Sequence, residues 1–390
     1  MSAIIAIVTN IPRPYRRALF GVLEKKLSAE GLELRVLFAS DPSKHVRRGL
    51  PPGGTGETGV GAHVPGITWR RDYERVVSIP VGLGRVLNRL EPVCVVTGGF
   101  GPSAVLSTRW CRSARVPHIL WSGAWPGHEG DIGRLRTSAR GRLVRNSGAC
   151  IAYGTAAAEY LISLGAAIGH VFCAWNTVDL EGIASAALSA QTRRVDLATK
   201  YGLARKNLLF VGSLVERKGV RELVTAGIAA TPETSDWTLH FAGGGPMKGE
   251  LEALASEAGK DPHFRFHGLT PEGDVAELLG LVDGFLFPTK REAWGLVINE
   301  AMACGVPVVA SPWAGATRDL IEDGVTGFVV EPTDTEKLAA TITRLLSDDP
   351  VPKQIGHKGA EAVRAKASLE KAAEGFVAAV RCALEGRRDA

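Results

Sequence analysis

Four residues have the types and spacing to act on a charged, hydroxyl-bearing ligand: Arg217, Lys218, Glu292 and Glu300. In FVGSLVERKGVRELVTA (210–226) an apolar run ends at Gly212 and Ser213, and a turn presents Arg217 and Lys218. Gly219 then opens a pattern of helical period. Two cations at a helix N-terminus, beside exposed N–H groups and the positive end of the helix dipole, suit a diphosphate. The same residues also fit an ordinary Arg-Lys pair in a surface turn.

The second segment, FLFPTKREAWGLVINEAMACGVPVVAS (285–311), places Glu292 before and Glu300 within a helix that starts near Gly295. On one straight helix the two carboxylates would stand about 80° apart, so their joint use requires Glu292 to lie on the preceding loop. The first N–H groups of that helix, at Gly295, Leu296 and Val297, would be unsatisfied and available to further phosphate oxygens. Read separately, Glu292 is also a first-turn carboxylate favoured by the dipole, and Glu300 a solvated helix residue.

These segments need a scaffold of strands and helices in alternation. AIIAIVT (3–9), ELRVLFA (33–39), PVCVVT (92–97), PHILW (117–121) and CIAYG (150–154) are apolar runs bounded by Gly, Pro or Asn, with amphipathic stretches such as 15–29 and 103–115 between them. The pattern restarts with NLLFVGS (207–213), WTLHFAG (237–243), HFRFHG (263–268), GFLFPT (284–289), VPVVAS (306–311) and GFVVEP (327–332). Repeated βαβ units predict an α/β protein of two Rossmann-like domains with parallel sheets facing a central cleft. The expected domains are 1–178 and 179–368, with 369–390 a C-terminal helix that crosses back to the first domain. Residues 40–66, rich in Gly and Pro and without periodicity, predict a long loop.

Composition agrees with two such cores. The chain has 390 residues, 45% hydrophobic and 22% charged, which excludes a disordered or fibrous class. No run is long enough to span a bilayer, and the opening MSAIIAIVTNIPRPYRR sets its charges after the apolar run, the reverse of a secretory signal, so a cytoplasmic location is expected. Six scattered cysteines in apolar segments predict reduced core residues, with neither disulfides nor a zinc site. Residues 1–180 carry 22 Lys and Arg against 12 Asp and Glu, the remainder 24 against 29. A basic half suits an anionic partner or a solvated surface.

Glu292 and Glu300, spaced E-x7-E inside EAWGLVINEAMACGVPVVAS, together with GSLVERKG upstream, resemble the donor signature of family-four retaining glycosyltransferases of the GT-B fold. LHFAGGGP (239–246), FRFHGLTP (264–271) and GATRDLIEDGVTGFVVEPTDTEKLAATI (315–342) are similar to the family's intervening and closing segments. The resemblance is strong over 205–345 and weaker before 180. It implies a retaining glycosyltransferase using a nucleotide-sugar, UDP- or GDP-linked, with Arg217 and Lys218 on the diphosphate, Glu300 on the ribose and Glu292 on the transferred sugar. Gly212, Trp294, Gly295, Leu296 and Val297 complete the donor site, and Leu269 stands where relatives approach the base through the backbone. Cations and helix ends would stabilise the leaving diphosphate, so no metal and no cofactor is expected.

The first domain is expected to hold the acceptor. TNIPRPYRRALF (9–20) resembles relatives whose first loop reads P-x-P-Y-R, placing Tyr15 and Arg16 beside the ligand, while Gly99 and Phe100 form a second loop. Equally, Tyr15 fits a core aromatic at a helix start and Arg16 a solvated base. Many relatives carry a histidine at the strand end here occupied by Trp121, Ser122 and Gly123. His118 reads as a core residue, and His128 in the following loop is a substitute. Some relatives rest a basic helix on anionic membranes, and RLRTSARGRLVR (134–145) holds five arginines. Its narrow stripe of Leu135, Ala139 and Leu143, with Gly141, favours instead a surface helix packing its Leu side inward. The acceptor, a small metabolite or natural product or a glycan, and the oligomeric state are not specified, and no nucleic-acid partner is expected. A GT-B phosphorylase, a nucleotide-sugar epimerase and a non-catalytic nucleotide-sugar-binding module share the same phosphate chemistry. Neither GGFGP nor GGGPMKG completes the G-x-G-x-x-G pattern of a dinucleotide oxidoreductase.

Overall fold

Short apolar runs in the first half pair into a seven-stranded sheet. In the computed structural model, which describes residues 2–10, 13–40, 61–71, 76–232 and 234–386, the strands of this half are β1 (Ala3–Thr9), β2 (Leu32–Phe38), β3 (Gly61–His63), β4 (Ile67–Arg70), β5 (Val76–Ile79), β6 (Cys94–Gly98), β7 (His118–Ser122), β8 (Ala149–Ala152) and β9 (Val171–Cys173). The helices between them are α1 (Pro14–Ser28), α2 (Leu83–Leu90), α3 (Pro102–Ala114), α4 (Pro126–Glu129), α5 (Arg134–Arg145) and α6 (Thr155–Ser163). The sheet order is β3-β2-β1-β6-β7-β8-β9, all parallel, with β4 and β5 a separate antiparallel pair.

The second half folds as α7 (Leu180–Thr192), α8 (Arg194–Tyr201), β10 (Lys206–Val211), α9 (Val220–Ala229), β11 (Trp237–Ala242), α10 (Lys248–Glu257), β12 (Phe264–Gly268), α11 (Glu272–Leu279), β13 (Gly284–Phe287), α12 (Leu296–Ala303), β14 (Val308–Ala310), α13 (Gly315–Leu320), β15 (Phe328–Val329), α14 (Thr335–Leu346) and α15 (Val351–Lys366). Its parallel sheet runs β12-β11-β10-β13-β14-β15. By contacts the chain divides into one unit of Met1–Val178 with Leu369–Ala390 and another of Asp179–Ser368. The last helix, α16 (Leu369–Glu385), packs on α1 and on β8 and β9, its Ala372, Ala373, Phe376 and Val380 entering the core beneath β1 and β7.

Both sheets are buried on two faces, and their strands accordingly read as continuous apolar runs. Strand and helix class follow the expectation for the runs named there, while β4, β5 and β9 lie in stretches where no strand was expected, and two further differences stand out. Gly61–His63, inside the segment expected to be loop, is an edge strand parallel to β2; its side chains are exposed, so no apolar alternation marks it in the sequence. Residues 41–60 of that segment lie outside the described residues. The apolar stripe of α5 faces inward only at its C-terminal end: Leu135 is 89% exposed and Ala139 exposed, Leu143 is partly buried against the core, and the buried residues are Gly141 and Val144. The helix buries its C-terminal half because Gly141 allows the Leu164 carbonyl to approach closely, while its first turns project into solvent. Cys94, Cys111 and Cys150 are buried, and all six cysteines are free.

Candidate functional site

β10 and β13 are neighbours, but the chain continues from β10 to β11 on one side and from β13 to β14 on the other. At such a reversal the connections after the two strands diverge and leave a crevice at their carboxyl ends, the usual ligand position in an open α/β sheet. Both charged motifs leave from these two strand ends. Beyond Val211 the residues Glu216–Lys218 form one 3-10 turn, closed by Gly219 at φ 66°, which also caps α9. A Cβ at Gly219 would collide with the Pro288 carbonyl oxygen just after β13, so glycine lets the two loops touch. Across that contact Lys290 N–H (2.8 Å) and the Thr289 hydroxyl (3.1 Å) both donate to the Arg217 carbonyl.

The side chains meet at Glu292. Lys218, 8% exposed, pairs through Nζ with Glu292 Oε2 and lies 4.6 Å from the centroid of the Phe287 ring. Arg217 Nη1 donates to the same carboxylate oxygen (3.3 Å) and to the Arg291 carbonyl (3.0 Å). Glu292 is on the loop ahead of α12, fixed by its N–H to the Trp313 carbonyl (2.9 Å). One carboxylate thus holds two cations together. Buried charges are stable when paired and hydrogen-bonded in this way.

α12 starts at Leu296, and Gly295 is its cap at φ 97°. The N–H groups of Leu296 and Val297, in the first turn, have no acceptor within the helix. Glu300 follows on the same helix, half-buried, and among the described residues no side chain hydrogen-bonds or ion-pairs with it. Burial pushes its carboxyl up to about 7, and the neighbouring Glu272 carboxylate adds to the effect. A carboxyl so placed, without a protein partner, is one that hydroxyl donors from a ligand would satisfy. Trp294 differs from its neighbours: its ring is buried, Nε1 donates to Asn299 Oδ1 (2.9 Å) and its carbonyl accepts from the Ala316 N–H (2.9 Å), so it braces the loop. Asn299, which holds that ring, gives no sign of its role in the sequence. Leu269 is half-buried directly after β12, following Gly268 at φ 73°.

In the other unit the strand order reverses between β1 and β6. Arg16, in the first turn of α1, crosses the end of β1: Nη1 donates to Thr9 Oγ1 (2.6 Å) and Nη2 to the Tyr153 hydroxyl (2.9 Å), with the guanidinium 4.2 Å from the Trp121 ring centroid and 5.7 Å from that of Tyr15. Arg16 is therefore not a solvated base, because the ends of β1, β7 and β8 close around it. Gly99, at φ 73°, donates its N–H to the Trp121 carbonyl (2.7 Å) and so joins the same cluster. Phe100 is set apart, capped at 4.6 Å by the Arg140 guanidinium, which pairs with Glu129 (2.8 Å) and ties α4, the helix carrying His128, to α5. His118 is a core residue: Ser147 Oγ (3.0 Å) and Thr97 Oγ1 (3.2 Å) occupy its ring nitrogens, and burial lowers its pKa to about 4. Among the described residues no imidazole occupies the β7 end; Trp121 fills it, and a Cβ at Gly123 would collide with the Tyr153 ring. Tyr153, absent from the residues expected at the site, had a signal in CIAYG, an aromatic between a strand end and a glycine.

Two doubly wound parallel sheets define the GT-B fold, and residues 200–362 match the family described as glycosyl transferases group 1. The matched residues lie within the second unit. The chain is 32% identical over 185 residues to an alpha-D-kanosaminyltransferase of Streptomyces kanamyceticus, covering 47% of this chain and 48% of that one. It is 33% identical over 163 residues to a GDP-mannose-dependent phosphatidylinositol monomannoside mannosyltransferase of Mycolicibacterium smegmatis, covering 40% and 42%. The chain thus matches about half the length of these curated relatives. Among solved structures it is similar to Anabaena HepE in complex with UDP and glucose, with a TM-score of 0.70 at 17% identity over 97% of this chain and 99% of that one. Among the described residues no helix is long and apolar enough to cross a membrane.

Proposed function

We propose that this chain is a retaining, metal-independent glycosyltransferase that moves a sugar from a UDP- or GDP-sugar to a hydroxyl of a small metabolite, natural product or glycan. The observation that carries the reading is the Glu300 carboxyl, held among protein atoms without a side-chain partner among the described residues, on the helix whose N-terminus adjoins the Lys218–Glu292–Arg217 cluster. Glu300 accepts the ribose hydroxyls, and the first N–H groups of α12 with Arg217 and Lys218 take the diphosphate. The Leu269 backbone adjoins the base. The bond from the anomeric carbon to the diphosphate oxygen breaks as the acceptor oxygen bonds to the same carbon on the same face, and the acceptor proton passes to the departing diphosphate. Charge gathers on the leaving group, where two fixed cations stabilise it without waiting for solvent to reorganise. The same cations supply the positive charge a divalent ion would otherwise bring. Glu292 orients the cations and accepts from hydroxyls of the sugar; Tyr15, Arg16, Gly99, Phe100 and His128 serve the acceptor.

Incubating the full chain with labelled UDP- and GDP-sugars and a panel of acceptors, with and without EDTA, tests this reading. Transfer that survives EDTA and keeps the anomeric configuration by NMR supports it, and an inverted product refutes retention. Binding without turnover would make the chain a nucleotide-sugar-binding module, and phosphate-dependent cleavage a phosphorylase.

A further inference from the structure

The Arg16 guanidinium is enclosed by neutral partners. Thr9 and Tyr153 accept one N–H each, Trp121 lies under its face, and the groups that bear on its charge are the hydroxyls of Tyr15 and Tyr153. No carboxylate among the described residues pairs with it. A buried cation is normally matched by an anion, because taking it out of water is costly. In the other unit Lys218 and Arg217 obey that rule through Glu292. Among the described residues Arg16 has no such counterpart.

Two further observations belong to the same place. Arg16 Nε and Trp121 Nε1, on the two stacked side chains, are buried donors with no acceptor among the described residues, although buried N–H groups are almost always satisfied. The cluster also sits at the carboxyl ends of β1, β7 and β8, beside the β1/β6 reversal where an open sheet receives its ligand, and Arg16 as a whole residue keeps partial contact with solvent. A structural arginine would explain the stack on Trp121. It would not explain a missing counter-charge and two unsatisfied donors at the ligand end of the sheet.

We propose that Arg16, stacked on Trp121 and braced by Thr9 and Tyr153, is the receptor for an oxyanion, a carboxylate or a phosphate, carried by the acceptor. Naming the acceptor as carrier rests on the glycosyltransferase reading above; the oxyanion subsite itself does not. The forked, planar guanidinium suits two-point recognition of such a group, and charge supplied by the ligand completes a pair the protein leaves half made. Acceptors bearing an acid close to the receiving hydroxyl are then the substrate class, and their neutral esters are poor substitutes.

Inorganic phosphate is the probe, added to the full chain at constant ionic strength with UDP or GDP, whichever binds, held at saturation so that the donor phosphates are already supplied. The wild-type unfolding midpoint rises with phosphate and levels off, as binding to the folded state requires, while chloride has no such effect. Arg16→Met keeps the stem over Trp121 and Arg16→Gln keeps its polarity; both lose the phosphate-dependent rise and keep nucleoside diphosphate affinity, and either variant suffices if the other fails to fold. A phosphate response that persists in these variants overturns the proposal. A fall of about tenfold or more in nucleoside diphosphate affinity overturns the assignment to the acceptor and gives the anion to the donor. If neither UDP nor GDP binds the wild type, the donor reading fails on its own, and the phosphate titration without nucleotide still decides the role of Arg16.

Discussion

Replacing Glu300 with glutamine tests whether the fold withholds a partner from this carboxyl. Its pKa, ordinarily 4.5, is pushed up to about 7, first by burial and then by the Glu272 carboxylate. A folded-state value above the unfolded one means that the fold prefers the neutral acid. The penalty is absent below pH 4.5, grows as pH rises toward 7 and is constant above it. At about 1.4 kcal/mol per pH unit the full penalty is about 3 kcal/mol, an upper figure because the residue keeps some solvent contact. Glutamine has the shape without the charge, so Glu300→Gln should match the wild type at pH 4, apart from a constant offset, and exceed it by up to about 3 kcal/mol at pH 8. For a unit of this size that is a rise of roughly 6–12 °C in its calorimetric transition. Nucleoside diphosphate affinity should move the other way, falling in the variant, and in the wild type rising as pH increases through 7, because the charged form is the better acceptor for ribose hydroxyls. A stability gap that stays flat from pH 4 to pH 8 would refute the burial argument. An unchanged affinity would remove Glu300 from the donor site.

Three other outcomes follow from named contacts. Lys218→Gln removes one of the two cations that pair with Glu292 and should lower kcat by about 10²–10³; an unaltered kcat with altered KM would make Lys218 a ground-state contact. His118, depressed to about 4 by burial, contributes stability that is present above pH 6.5 and lost as pH falls toward 4, so His118→Gln should flatten the acid limb of unfolding in the first unit by up to about 3 kcal/mol, and an acid limb identical to wild type would contradict that. Leu135→Ser should change stability by less than about 0.5 kcal/mol, since the side chain is in solvent; a loss of 2 kcal/mol or more would restore the inward-facing stripe.

The layout of the β10 and β13 strand ends was legible because its information is local. Gly212, Arg217, Lys218 and Gly219 sit within a few residues of a strand end, and so do Glu292 and Gly295; a strand, a turn glycine and a helix start place such residues before any tertiary contact is considered. The loop position of Glu292 followed from helix geometry once Glu292 and Glu300 were taken to act together. What the pattern did not contain was the pairing of Lys218 and Arg217 with Glu292, which joins residues 74 and 75 positions apart and depends on Gly219 meeting Pro288. Trp294 was placed by position in the motif, whereas its inward turn depends on Asn299.

The first unit was harder for a physical reason that also bears on its chemistry. Arg16 is recognised as buried only when Thr9, Trp121 and Tyr153 are brought together from the ends of three strands, and no spacing within one segment encodes that meeting. A charged residue seven positions after a strand end is a solvated base by default, since burial of an unmatched charge is penalised. The α5 helix shows the complementary failure: its four-residue apolar spacing reads as a buried stripe, yet the helix buries only its C-terminal end, around Gly141, and leaves Leu135 in water. In both cases composition suggests the energetically ordinary arrangement and the fold adopts the other. For Leu135 the departure is cheap, since single exposed leucines are common on protein surfaces. For Arg16 it is not, and a cation with no carboxylate partner among the described residues, held at the ligand end of its sheet, has reason to stay there if the anion arrives with a substrate as proposed above.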